Sequence, residues 1–474
     1  MDKKIIVLFR NDLRIDDHPA LWHAAKDGTV IPVFIQNPYQ NENIPAKNYW
    51  TYYSIQNLQI KLADAGIPLV LRKGDTLVEL NQLVEETHAS AVYFNERFSP
   101  EERQQDNQII DLLKEKRIEV KTFYGDTLYT LSTIYNKQTK PYAIFTSFYK
   151  RCLQEVVQRP LGNPSFNAPA TPINSLLLED LQLLIGHWQE KFHAYWTPGE
   201  DGAHAQLEQF IETSVHHYGN QRDFPATDAV SRLSPYLAAG NISVRTLWAI
   251  MMAQLEDELD VAIHQQIESF LRQLIWREFS YYQLIHQPFF TTQHLRSDFL
   301  QFQWEQDAVT LEAWKKGNTG YPLVDAGMRE LWATGYIHNR VRMVVASFLV
   351  KHLLQPWQTG YNWFEYTLVD FNAANNAMGW QWVAGTGIDS APYFRIFNPT
   401  LQSEKFDADG DYIKKWVPEL ANLPSKYIHA PSTAPNSILE KYGILLGSTY
   451  PLPIVDHQAA RARALERYQA IKKA

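Results

Sequence analysis

Five short apolar runs, KIIVLF, VIPVFI, PLVLR, AVYFN and EVKTF, recur through the first 125 residues with amphipathic stretches between them. That alternation constrains the chain more than any other feature. Strands separated by helix-length segments cannot close as hairpins, so each connection must cross back over the sheet and the strands then run parallel. The expectation for residues 1–125 is an α/β domain, a doubly wound parallel sheet with helices on both faces. After AVYFN, the run SPEE predicts a helix start: Ser99 as N-cap, Pro100 in the first position and Glu102 closing a capping box. No G-x-G-x-x-G follows the first strand. The stretch FRNDLRIDDHPALWHAA fills the usual phosphate-loop place with charged side chains instead.

With 474 residues the chain exceeds one ordinary core, which favours two or three domains. Residues 126–201 lose periodicity and gather Pro, Asn and Gly, as in RPLGNPSFNAPATPIN, which predicts a connector. Residues 202–474 read as an all-α domain, with helical runs such as AHAQLEQFIETSV, VRTLWAIMMAQLED, HQQIESFLRQLIWREFSYYQLI and PLVDAGMRELWATG. The single cysteine, Cys152, excludes an internal disulfide framework and a protein-held iron–sulfur cluster, and fits a reducing, cytoplasmic setting. No apolar run has the length of a membrane span, and MDKKIIVLFRND brings acidic residues too early for a signal peptide. The net charge of −8 means that a polyanion could be met only by a local basic patch.

Four stretches carry residue types suited to chemistry. In NAANNAMGWQW, amides that donate and accept precede two tryptophans, a set able to hold a flat heteroaromatic ligand by edge and face. In FLRQLIWREFSYYQ, Gln273, Trp276 and Arg277 share one helix face and could read a planar heterocycle beside a phosphate; a core tryptophan flanked by solvated charge fits as well. TGYIHNRVRM offers His338, Asn339, Arg340, Arg342 and Met343, although two arginines on a helix are commonly just a solvated face. DAVSRLSPYLAAG sets Ser231, Arg232 and Ser234 before a proline, where hydroxyls and backbone N–H groups suit a diphosphate or merely cap a helix.

Taken together and in order, FRNDLRIDDHPAL, QRDFPATDAVSRLSPYLAAG, LIWREF, GNTGYPLVDAGMRELWATGYIHNRVRM and NNAMGWQWVAGTGIDSAPYFRIFNPTLQSEKFD resemble the photolyase and cryptochrome flavoprotein family, and within it the class I bacterial DNA photolyases. The resemblance runs nearly the full length. It implies that the helical domain binds FAD, with Tyr218, Ser231, Arg232, Leu233, Ser234 and Phe270 toward its adenine and phosphate side and Arg277 nearby. Arg342 and Asp370 would pair beside the isoalloxazine, with Asn339 and Asn372 close, and Asn376 would face flavin N5. Trp276 and Trp382 would wall a flipped pyrimidine dimer, with Gln273, Asn339 and Met343 lining the same pocket. Arg222, Arg340 and Arg395 would hold DNA. Trp380, Trp357 and Trp304 would pass electrons to the surface, although three core tryptophans would read the same.

The implied activity is light-driven repair of cyclobutane pyrimidine dimers in ultraviolet-damaged DNA by a cytoplasmic monomer, with reduced FAD as electron donor and no metal. Gln273 stands where a Glu is usual in the dimer enzymes and Met343 where six-four photolyases carry a histidine. Phe270 replaces a usual Trp, Val230 a Thr and Asn372 an Asp. The alternatives are a six-four photoproduct photolyase and a cryptochrome-type blue-light photoreceptor without repair, for which a long extension beyond DHQAARARALERYQAIKKA would be expected. An antenna chromophore, whether methenyltetrahydrofolate, a deazaflavin or FMN, is compatible with the first domain. Glu102 matches a folate contact in some members, and its capping role accounts for it equally.

Overall fold

The computed structural model describes residues 3–38, 44–166, 173–184 and 186–473. Part of the predicted connector, residues 167–172 and 185, therefore lies outside the described residues. The chain divides into two compact units, one formed by Met1–Gly219, Ser231–Pro288 and Val369–Ala374, the other by Asn220–Val230, Phe289–Leu368 and Asn375–Ala474.

The first unit is built on five strands, β1 Lys4–Phe9, β2 Thr29–Gln36, β3 Val70–Lys73, β4 Ala91–Asn95 and β5 Glu119–Phe123. They are all parallel, in the order β3-β2-β1-β4-β5. Each apolar run seen in the sequence is a strand. Because successive side chains alternate faces and both faces are covered, β1 is apolar from Ile5 to Phe9: Ile5, Val7 and Phe9 pack with Leu21, Leu58 and Leu62, while Ile6 and Leu8 pack with Leu80, Leu83 and Leu113. The capping box forms as the sequence predicts, with Ser99 Oγ accepting from Glu102 N and Glu102 Oε2 from Ser99 N, both at 3.2 Å. The same unit contains the helices Glu200–Thr213, Val244–Asp257 and Val261–His286.

Strand order reverses at β1, which pairs with β2 on one side and β4 on the other. The crevice beyond such a reversal is where open α/β sheets commonly bind ligands. Here charged side chains fill it. Asp12 accepts from Arg10 N at 2.6 Å, Asn95 Nδ2 at 2.8 Å and His18 Nε2 at 3.1 Å. Asp106 takes Arg10 at 2.7 Å and Arg97 at 2.5 Å. Burial alone would raise the Asp12 carboxyl, yet the charge and hydrogen bond of His18, helped by Arg10, hold it below the usual carboxylate range. Burial also draws Arg10 down to about 10.

The second unit is helical, with Ala308–Lys316, Pro322–Thr334, Asn339–Ser347, Trp357–Thr367, Pro399–Phe406 and His457–Lys473 among its helices, together with most of Ala373–Ala384. Two glycines leave room for a neighbouring helix to pack closely. A Cβ on Gly327 would lie 2.3 Å from Val341, and one on Gly360 only 2.0 Å from the Trp380 ring. The helix from Asn339 is capped by His338, whose Nδ1 accepts from Arg340 N at 3.2 Å. Burial pulls that imidazole down to about 4, so it remains neutral and able to accept. The helix then widens into a π turn over Phe348–His352, which places Lys351 in the interior. Among the described residues no helix is long and apolar enough to cross a membrane.

Candidate functional site

Tyr218, Ser231, Arg232, Leu233, Ser234, Phe270, Gln273, Trp276, Arg277, Asp370 and Asn372 all fall in the first unit. Tyr218 and Phe270 are buried and meet edge to face at 5.4 Å. The segment before the short helix Ser234–Ala238 is shaped by Arg232, which takes the left-handed conformation (φ 52°) and lays its guanidinium over Trp196 at 4.8 Å. Ser231 Oγ accepts from the N–H of buried Leu233 at 3.4 Å. Ser234 donates its hydroxyl to Asp370 Oδ2 at 2.6 Å.

On the helix Val261–His286, Trp276 stacks flat on Phe145, 3.5 Å between centroids at 8°, and Gln273 Nε2 donates to Ser269 O at 3.1 Å. Arg277 is buried and gives its guanidinium to Asp126, to the backbone O at 2.6 Å and to the carboxylate at 2.5 Å, while lying over the Tyr281 ring. Asn372 Nδ2 donates to the same Tyr281 hydroxyl at 2.8 Å. Asp126, Tyr281 and Phe145 were not read from the sequence: Asp126 and Phe145 meet the helix from more than a hundred positions away, and Tyr281, although one turn from Arg277, is joined to Asp126 and Asn372 only by the fold. Glu102, the candidate antenna contact, has both carboxylate oxygens engaged, one on Ser99 N and one with Asn11 Nδ2 at 3.3 Å.

Arg222, Trp304, Asn339, Arg340, Arg342, Met343, Trp357, Asn376, Trp380, Trp382 and Arg395 fall in the second unit. Asn376 Nδ2 donates to Tyr361 O at 3.2 Å, which fixes the amide and leaves Oδ1 as an acceptor. One turn on, a Cβ added at Gly379 meets no described atom within 4 Å, so this helix face is uncrowded. An amide oxygen presented beside an open helix face fits the edge of a ring that carries an N–H donor, as a reduced flavin does. Arg342 Nε donates to Ile337 O at 2.8 Å, and its guanidinium lies over Tyr336. Asn339 and Met343 face each other one turn apart, with 3.9 Å between Nδ2 and Sδ. Trp382 is half-buried.

The tryptophans show graded exposure: Trp380 and Trp357 are sealed from solvent and Trp304 is half-buried. Trp380 lies over Gly360 on the helix that Trp357 begins. Trp357 and Trp304 both contact His294, the first through its indole N–H at 3.0 Å and the second by parallel stacking at 5.9 Å.

Arg340 and Arg395 line a cavity of about 500 Å³ with Lys405, Phe224, Phe406 and Asp223. Arg340 is held by Asp223 at 2.7 Å and lies over the Phe406 ring at 4.3 Å. The backbone of Arg395 is held from beneath, its carbonyl accepting from the buried Lys351 Nζ at 2.9 Å. Burial draws that lysine down to about 7. Asp223, Lys405 and Lys351 were also missed in the sequence.

The fold agrees with what the chain is similar to. Residues 5–169 match the model of the DNA photolyase family and residues 270–470 that of the FAD binding domain of DNA photolyase. The deoxyribodipyrimidine photo-lyase of Agrobacterium fabrum is 43% identical, over 99% of this chain and 98% of its own. Cryptochrome-2 of Arabidopsis thaliana is 38% identical over 98% of this chain and 79% of its own. A crystal structure of a bacterial class III photolyase from Agrobacterium tumefaciens superposes with a TM-score of 0.95 at 43% identity, covering 100% of this chain and 98% of that one. The chain belongs to the photolyase and cryptochrome flavoprotein family, and its second half carries that family's FAD-binding domain.

Proposed function

We propose that this protein is a light-driven photolyase that repairs cyclobutane pyrimidine dimers in DNA, acting in the cytoplasm as a monomer. The observation that carries the DNA reading is the cavity. A chain of net charge −8 gathers Arg340, Arg395 and Lys405 at one place, with a single carboxylate among the lining residues. Such a local cationic patch suits backbone phosphates, whose contacts position a duplex without reading its sequence. The phenyl rings beside it suit the apolar faces of unstacked bases.

FAD, when bound and reduced, supplies the photoexcitable electron donor. Tyr218, Ser231, Arg232, Leu233, Ser234 and Phe270 hold its adenine and phosphate side. Arg277, tied to Asp126, and Asn372, tied to Tyr281, support that pocket, while Arg342, Asp370 and Asn339 hold the ring system. Asn376 presents Oδ1 to the ring edge, an orientation favoured by its bond to Tyr361. Photolyases are among the enzymes that take their target out of the stack, and a dimer stacks and pairs poorly, which lowers the cost of extruding it. Trp276, stiffened by Phe145, and Trp382 supply the flat walls. Gln273 and Met343 are further contacts for the lesion, and Arg222 adds a cation to the DNA-holding set. Trp380, Trp357 and Trp304 replenish electrons from the surface in short hops.

Met343, an apolar thioether with no proton to give, favours cyclobutane dimers over six-four lesions. Class I was the subgroup expected from the sequence, whereas the 43% identity to the class III photolyase of Agrobacterium tumefaciens favours class III. The similarity to a plant cryptochrome supports a second reading, a blue-light receptor without repair. Illumination of the purified, reduced protein with an oligonucleotide bearing one defined lesion decides among them. Restored bases are expected from the cyclobutane dimer and none from the six-four product; no restoration from either supports the receptor. Trp380→Phe is expected to slow flavin photoreduction more than tenfold while sparing repair by pre-reduced protein.

A further inference from the structure

The middle tryptophan differs from its two neighbours in one respect. The indole N–H groups of Trp380 and Trp304 are buried with no hydrogen-bond partner among the described residues. That of Trp357 donates to His294 Nδ1 at 3.0 Å. An Nδ1 that accepts this N–H carries no proton and offers its lone pair, and burial lowers the imidazole from its ordinary value in the same sense. The rings facing it are Trp304, Trp357 and Phe299, and no charged group contributes to the shift.

His294 is also held in place. Gln381, the residue between the two tryptophans of WQW, is fully buried and clasps the chain on either side of the histidine. Its Nε2 donates to Gln293 O at 3.0 Å and its Oε1 accepts from Leu295 N at 3.2 Å. Next along the loop, Thr292 O accepts from Gln358 Nε2 at 3.2 Å. A base fixed on both sides, at hydrogen-bond distance from an N–H that becomes strongly acidic when its ring loses an electron, meets the geometric requirement for proton transfer.

We infer that His294 is the proton acceptor of the tryptophan chain. This rests on the proposed electron path, in which the photoexcited oxidised flavin is the oxidant and Trp380 its first donor. Trp357 gives one electron to the Trp380 radical cation, and its N–H proton crosses to His294 Nδ1, which leaves a neutral indole radical and an imidazolium. Trp304, stacked on His294, then gives an electron to Trp357 and the proton returns, so that the positive charge moves outward with Trp304. Holding the proton on His294 opposes charge return to the flavin.

The test compares the flavin-loaded parent with His294→Phe, which keeps a ring but removes the acceptor, and with His294→Gln, which keeps an acceptor that is not a base. In the parent, transient absorption should show the deprotonated Trp357 radical and a solvent deuterium effect. Both variants should show only the radical cation, with charge return faster by roughly tenfold or more, tenfold being about the lower end of what a hydrogen bond to a charged group contributes. The indole ¹⁵N–¹H resonance of Trp357, which requires no light, should move in His294→Phe and confirms that the bond existed. A parent that photoreduces with no deuterium effect, and that His294→Phe matches, overturns this inference and leaves the electron path standing. A parent that does not photoreduce at all overturns both.

Discussion

Two arginine-rich clusters, one at the carboxyl ends of β1 and β4 and one in the cavity of the helical unit, put the same side chain to opposite uses. Around the strand ends every charge is answered from inside: Arg10 and Arg97 share Asp106, and Asp12 is ringed by His18, Asn95 and Arg10 N–H. In the cavity, Arg340, Arg395 and Lys405 share the lining with one carboxylate, Asp223. A buried charge that has its partners built in holds a loop in place and offers little to a ligand. Cations that outnumber their partners at a surface cavity keep attraction in reserve for a polyanion.

The comparison can be broken most severely at Asp106. Asp106→Ala leaves two largely covered guanidinium groups without their shared carboxylate and is expected to cost about 3 kcal/mol in denaturant unfolding, with the DNA affinity of the folded protein unchanged. A loss below about 1 kcal/mol would show that the network is not compensated charge but a solvated surface.

Acid sharpens the contrast from the helical side. His338 has its folded pKa depressed to about 4 by burial, whereas the unfolded residue titrates near 6.5. As pH falls, the unfolded chain binds that proton first, so the stabilisation is complete above about 6.5 and drains away toward 4. The loss approaches roughly 3 kcal/mol at up to about 1.4 kcal/mol per pH unit. His352, lowered to about 3, adds in the same direction. Unfolding midpoints measured across this range should fall with pH, and His338→Asn, which keeps a capping acceptor, should flatten the slope.

A smaller effect is expected at Arg395. Arg395→Ala should weaken binding of lesion-bearing DNA by about tenfold and reduce the slope of log affinity against log salt by about one, with unfolding unaltered. Unchanged salt dependence would remove Arg395 from the phosphate set. The smallest effect concerns Asp223, which holds Arg340 at 2.7 Å and, under the proposed function, would compete with phosphate for it. Asp223→Asn should raise DNA affinity by roughly threefold, within the modest range of exposed ion pairs, and a decrease would mean that the carboxylate positions the arginine instead.

Much of the framework was readable in advance, for reasons that differ by element. The strands, the Ser99–Glu102 box and the long helix Val261–His286 follow from periodicity and capping among residues a few positions apart. Asn376, Trp380, Arg340 and Arg395 were likewise named from the motifs and the family resemblance before any geometry. What each one touches was not readable. Ser234 spends its hydroxyl on Asp370, Arg277 turns to Asp126, and Arg340 is held by Asp223, partners that sequence spacing does not announce.

The sequence by itself determined which segments become strands and helices, because hydrophobic alternation and caps act between near neighbours. Only the tertiary structure decided which charges are neutralised and which tryptophan has a base. Arg10 reaches Asp106 across 96 positions, and Trp357 reaches His294 across 63. Ionic and hydrogen-bond energies depend on distance through space and on burial, and neither quantity exists until the chain has folded.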